Sequence, residues 1–143
     1  MDIHAKITAI ASYLKNKPGC LAADISNETL RQYVAFHMLH DQIKACWDDF
    51  GNCCGLVIAW QRNGQDEVPF DWTPGIPDGD SWWWDQIAAE EPQTAMALVI
   101  EFTKEKPWLL SMAGTARRNG KIRKYKPWAI CRELEIGMKR YVH

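Results

Sequence analysis

The sequence predicts an α+β domain, a mixed and mostly antiparallel sheet flanked by helices. Three observations predict it. Apolar residues recur at helical spacing near the N-terminus and after Pro92, whereas the segments between are short, aromatic and β-branched. An Asn119-Gly120 pair separates two short runs, the strongest local hairpin signal. The chain has 143 residues, the size of one ordinary domain with a real core.

Ile3, Ile7, Ile10 and Leu14 predict a first helix over 3–15, which Pro18-Gly19 ends. Within a single domain covering 1–143, this N-terminal helix (1–18) is expected to be peripheral. Ser26 is the expected N-cap of a second helix, with Glu28 in the first turn, where the helix dipole favours negative charge. Leu30, Val34, His37 and Met38 form its apolar side, and the spacing continues toward Cys46. A break near His40-Asp41 is expected, with Asp41 capping a short third helix.

Cys53 to Gln61 is a short apolar run between Gly51-Asn52 and Asn63-Gly64 and reads as a buried strand. Residues 64–80 hold three prolines and three glycines and read as an irregular loop. Trp82–Ala88 is the next strand, and Pro92 opens a helix over 92–105 with Met96, Val99, Ile100 and Phe102 as apolar residues. Trp108–Met112 reads as a third strand. The Asn-Gly turn joins the chain to a strand over Lys121–Tyr125, and a last helix covers Ala129–Met138. The expected order is α-α-β-β-α-β-β-α.

The net charge of −1 hides a polarity. From residue 103 onward there are eleven Lys/Arg against three acids, and before it six against fifteen. A basic C-terminal third suits an acidic partner: an acidic carrier protein, a neighbouring subunit or nucleic acid. Neutralisation of the protein's own acidic half is the simpler alternative. Five cysteines, two of them adjacent, make a poor disulfide framework and point to a reducing compartment, with no Cys-x-x-Cys pair for zinc. No segment is long and apolar enough to span a membrane, and no signal-peptide pattern opens the chain. The expected location is the cytoplasm, or a virion for a phage protein.

One carboxylate interrupts the aromatic strand. In Trp82-Trp83-Trp84-Asp85, Asp85 must be paired, hydrated or used for chemistry, because a carboxylate in an apolar strand is otherwise costly. It is the first candidate catalytic residue, against the reading of a structural aspartate. His37 is the second, a candidate base on the apolar side of its helix. His37 and His40 share a helix at a spacing that metal sites use, without evident further ligands, so no metal is assigned. Cys53-Cys54 reads as packing, because no base or charge to activate a thiol is evident. The three tryptophans alternate faces, so one or two are expected in the core and one along a cleft, and the acidity of this segment disfavours base stacking. Arg117, Arg118, Lys121, Arg123 and Lys124, with Lys126, form a candidate partner-binding patch on the hairpin. The alternative is a charged edge that blocks sheet-to-sheet aggregation.

The stretch Asp71-Trp72-Thr73-Pro74-Gly75, then Gly79-Asp80-Ser81-Trp82, then Trp84-Asp85-Gln86-Ile87-Ala88 resembles the toxin-activating lysine acyltransferases of the RTX (hemolysin-activating) group. The strand Val57-Ile58-Ala59-Trp60 and the hairpin Asn119-Gly120-Lys121-Ile122 fall where theirs do, so the resemblance spans roughly residues 50–126. It implies the fold of the GCN5-related N-acetyltransferases. It also implies transfer of an acyl group from acyl carrier protein, or acyl-CoA, to an amine. Asp85 inherits the family's assisting aspartate, and the donor is expected along Ile87, Ala88, Ala89 and Gln93. Two positions differ. The family's histidine has no counterpart in 24–30, which leaves His37 as the substitute, and Ala89-Glu90-Glu91-Pro92 stands where the family has Pro-Phe-Gly. Two carboxylates and a proline are a poor anion cradle. They favour the alternative, a non-catalytic binding or structural protein of a virus or mobile element on the same fold.

Overall fold

The computed structural model describes residues 1–17, 24–64, 75–118 and 121–125. Two helices, α1 (Ile3–Asn16) and α2 (Asn27–Leu39), precede three strands, β1 (Ile43–Trp47), β2 (Cys53–Arg62) and β3 (Ser81–Ala89). Helix α3 (Pro92–Glu105), a 3-10 turn (Pro107–Ser111) and the pair β4 (Ala113–Arg118) and β5 (Lys121–Tyr125) follow. The five strands form one sheet in sequence order, antiparallel except for the parallel β3–β4 pair that α3 connects. This is the α+β class, with a mixed, mostly antiparallel sheet between helices, compatible with a single small domain.

Local chemistry explains the helix ends. Asp2 caps α1 by accepting from Ala5 N at 2.8 Å, and the Ser26 side chain accepts from Thr29 N at the start of α2. Helix α2 stops where Asp41 adopts φ 54°: Gln42 N bonds back to His37 O and Asp41 N to Met38 O, a Schellman-type closure. The expected short third helix is therefore absent. Ile43–Trp47 instead forms strand β1, because pairing with β2 (Ile43 opposite Ile58, Cys46 opposite Gly55) outweighs the helical spacing. Trp108–Met112 is likewise not a strand. Pro107 opens a 3-10 turn there, and β4 begins only at Ala113. Pro92 occupies the first turn of α3, as its position in the sequence predicts.

Strand alternation divides the core in two. Leu56, Ile58, Trp60 and Trp83 face α1 and α2, where Ile10, Leu14, Leu30, Tyr33 and Val34 meet them. Val57, Ala59, Trp82 and Trp84 face α3 and pack with Leu98 and Phe102. All three consecutive tryptophans are buried, so none lines an open cleft. Met96 and Ile100 of α3 are only half-buried, and Leu98 and Thr103 take the inward places beside Phe102. Gly114 lies against Trp82, where an added Cβ would stand 2.8 Å from the indole Nε1. Gly114→Ala is therefore expected to cost about 1–3 kcal/mol by overpacking, read as a lowered thermal midpoint.

The Asn119-Gly120 turn, residues 65–74, the Pro18-Gly19 stop and the expected helix over 129–138 lie outside the described residues, as do Cys20 and Cys131. The hairpin itself forms as expected, with Arg118 opposite Lys121 and Ala116 opposite Arg123. Among the described residues, no helix is long and apolar enough to cross a membrane.

Candidate functional site

Asp85 sits at a β-bulge. Across β2–β3, Ile58 pairs with Gln86 and Ala59 with Trp84, so Asp85 is the extra residue of β3. The parallel pairing of β3 with β4 covers only Ser81–Trp84 and ends one residue before it. The carboxyl thus occupies the point where the two parallel strands part. Its side chain turns to the α1/α2 side, and the residue is 2 % exposed. Asp85 Oδ2 accepts from the Tyr33 hydroxyl of α2, and Oδ1 accepts from Trp83 Nε1 at 2.8 Å. Both oxygens are engaged, which answers the cost of burying a carboxyl among aromatic rings.

His37 lies one turn beyond Tyr33 on α2. Its ring meets Tyr33 edge-on with centroids 4.6 Å apart and stacks on Trp60 at 5.1 Å and 16°. Gln42 fixes its tautomer. The Gln42 Oε1 accepts from Gly75 N at 2.6 Å, so the amide NH2 is the group that faces His37 Nδ1 at 3.0 Å. Nδ1 accepts, and the neutral ring carries its proton on Nε2. That Nε2 is buried without a hydrogen-bond partner among the described residues. Burial, and then the nearby His40, push the His37 pKa down to about 3. The imidazole is neutral at neutral pH and a weak base. His40, at the end of the helix, is exposed, and the Phe36 ring touches both its ring and that of the buried His37. No group of three or more metal-ligating side chains occurs among the described residues.

The burial of His37 has a stability consequence. The unfolded histidine titrates near 6.5 and the folded one near 3, so between these values the unfolded state binds more protons. Stability present above pH 6.5 is then lost as the pH falls toward 3, with a slope of up to about 1.4 kcal/mol per pH unit. Urea midpoints of wild type and His37→Leu between pH 7 and 4 are expected to diverge, with a shallower acid limb in the variant.

The expected donor residues lie just beyond the bulge. Ile87, Ala88 and Ala89 pair with Val57, Leu56 and Gly55, and Ile87 is 42 % exposed. Gln93 is exposed in the first turn of α3, where its amide donates to Glu91. Glu91 caps α3 through its backbone only, its carbonyl accepting from Thr94 and Ala95, so carboxylates and not a phosphate cradle mark this helix start. Alongside lies a cleft of about 340 Å³ between α1 and the ends of β2 and β3, lined by Tyr13, Asn16, Lys17, Asn52, Cys53 and Glu90, among others. Lys17 Nζ crosses it to donate to Ala89 O at 2.8 Å. The Tyr13 hydroxyl is held above its ordinary pKa by burial and by the Glu90 charge.

On the hairpin, Arg123 and Lys124 are exposed, and the backbone places Arg117, Arg118 and Lys121 on the same two strands. Lys126 lies outside the described residues. The structure therefore joins Asp85 to Tyr33 and Trp83. It sets His37 against the same Tyr33, without a described bond between Asp85 and His37. Sequence reading missed Tyr33, Gln42, Tyr13 and Lys17. Tyr33 carried a usable signal, since it falls on the inward side of α2 with Leu30, Val34 and His37. No family model matches the chain, and no curated protein matches it.

Proposed function

We propose that the protein is an acyltransferase of the toxin-activating lysine type, which passes an acyl group from an acyl carrier protein, or from acyl-CoA, to an amine. The observation that carries this reading is the position of Asp85, a bulge residue one step beyond the last β3–β4 pair. The β3–β4 pairing covers Ser81–Trp84, and the backbone of Ile87–Ala89 lies beyond it, where an extended donor arm would run. The amine attacks the thioester carbonyl, the N–C bond forms, and the C–S bond breaks to release the thiol. The proton lost by the amine passes to Asp85, directly or through the Tyr33 hydroxyl bonded to it, and from Asp85 to the departing sulfur, which restores the carboxylate. His37, neutral and stacked, holds the Tyr33 ring in place and is a positioning residue here. The basic hairpin with Arg117, Arg118, Lys121, Arg123 and Lys124 is the docking face for an acidic carrier, by charge complementarity.

A specific observation favours the second reading, a non-catalytic binding or structural module of a virus or mobile element. Asp85 and His37 are both sealed in the core, and two glutamates flank the start of α3. Incubating the protein with an acylated carrier and a lysine-containing peptide separates the two readings. The acyltransferase reading expects an acyl mass increase on the peptide, at a rate that falls with added salt as the hairpin contact is screened. A folded protein that leaves both donor and peptide unchanged supports the second.

A further inference from the structure

The β1–β2 hairpin carries three thiols, and their placement differs. Pairing runs from Cys46–Gly55 to Trp47–Cys53 and skips Cys54, which is the extra residue of a second bulge. The Cys54 sulfur lies across the strand gap 2.8 Å from the Cys46 sulfur. A disulfide sulfur pair stands about 2.05 Å apart, so bonding requires less than about 1 Å of movement. Cys53 is turned away. It packs against the α1/α2 side of the sheet, whereas Cys46 packs against the α3 side, and the Cys53 thiol is spent on Gly55 O. The sheet itself therefore selects one pair out of three. Both members are only half-buried, and β1 ends the sheet among the described residues, so a small oxidant has a path to them. The other face of the same hairpin end, through Asn52 and Cys53, is a wall of the cleft beside Glu90.

We infer that Cys46 and Cys54 are an oxidisable dithiol site, which closes to a reversible cross-strand disulfide on meeting a small-molecule disulfide of the glutathione class. A thiolate of the pair attacks one sulfur of the oxidant, giving a mixed disulfide and one released thiolate. The second sulfur of the pair then displaces the other thiolate. The two cysteines lose two electrons in forming one S–S bond. The oxidant's S–S bond is reduced to two thiols, which take up the two protons. Burial and the Cys54 thiol push Cys46 up to about 12, so the resting form is the dithiol and attack on the oxidant is slow. The closed form ties β1 to β2 beside the cleft wall. The site does not depend on acyl transfer.

The test treats the full-length protein with excess oxidised glutathione, alkylates the remaining thiols, and digests at Asp48 and Asp49 without reduction. Fragmentation between Cys53 and Cys54 assigns the sulfur. A Cys46–Cys54 linked peptide pair that dithiothreitol returns to two alkylatable thiols is expected. In Cys54→Ala that pair is absent and glutathione remains on Cys46. Linkage through Cys53, Cys20 or Cys131 instead, or full alkylation of Cys46 and Cys54 after oxidation, would overturn the inference. The wild-type map decides by itself, so the inference stays testable if the variant folds poorly.

Discussion

Asp85→Ala is expected to cost about 3–5 kcal/mol, because it leaves two buried donors, the Tyr33 hydroxyl and the Trp83 indole N–H, without their acceptor. Each donor orphaned in a dry site costs about 1–3 kcal/mol, and the small cavity adds to this. For a domain whose whole stability is about 5–15 kcal/mol, the loss is large. Asp85→Asn is expected to be milder, about 1–2 kcal/mol, since the amide oxygen still accepts from Trp83 while its NH2 faces the Tyr33 oxygen. Chemical denaturation of the two variants checks the order. Equal and negligible losses would mean that the carboxyl does not hold α2 against β3.

Trp83→Ala is expected to be equally damaging, about 3–5 kcal/mol and enough to leave a fraction unfolded at 37 °C. Trp83 is fully buried in the cluster between the sheet and α1/α2. Its N–H holds Asp85, and the Arg62 guanidinium lies over its ring at 5.1 Å while also donating to Thr115 of β4. One indole therefore joins β2, β3, β4 and α2. Trp83→Phe keeps the ring face but loses the N–H, and is expected to fall between wild type and Trp83→Ala. A lowered urea midpoint with an unchanged denaturant slope is the expected signature. A Trp83→Ala protein as stable as wild type would show that the aromatic strand does not anchor the core.

Much of the architecture was legible because local and tertiary signals agree. Ser26 caps α2, Pro92 opens α3, and β2 and β3 are the two aromatic-aliphatic runs. Strand β1 was illegible because Ile43 and Cys46 continue the apolar spacing of α2, and only the left-handed turn at Asp41 and pairing with β2 redirect them. Trp108–Leu110 looks β-prone, but Pro107 fits the start of a tight helical turn better than a strand.

The site was half legible. Asp85 stood out as a carboxylate in an apolar strand. Its bulge could not be read, because register is a relation between two strands, and Ile58-Ala59 carries no mark of the slip. The inward place of Tyr33 on α2 was readable from the helical spacing, but not the bond from its hydroxyl to Asp85. The place of His37 on the apolar side of α2 suggested a base, and burial with the Gln42 contact makes it a neutral, fixed ring.

The most direct test of the account is acyl transfer from an acylated carrier protein to a lysine peptide, followed by mass spectrometry, for wild type and for Asp85→Asn. Circular dichroism and the urea midpoint establish in parallel that the variant is folded. The account predicts acylated peptide with wild type and a loss of at least about 100-fold in the folded variant, the scale of a lost acid–base group. Equal transfer by both proteins, or none by a folded wild type, would contradict it.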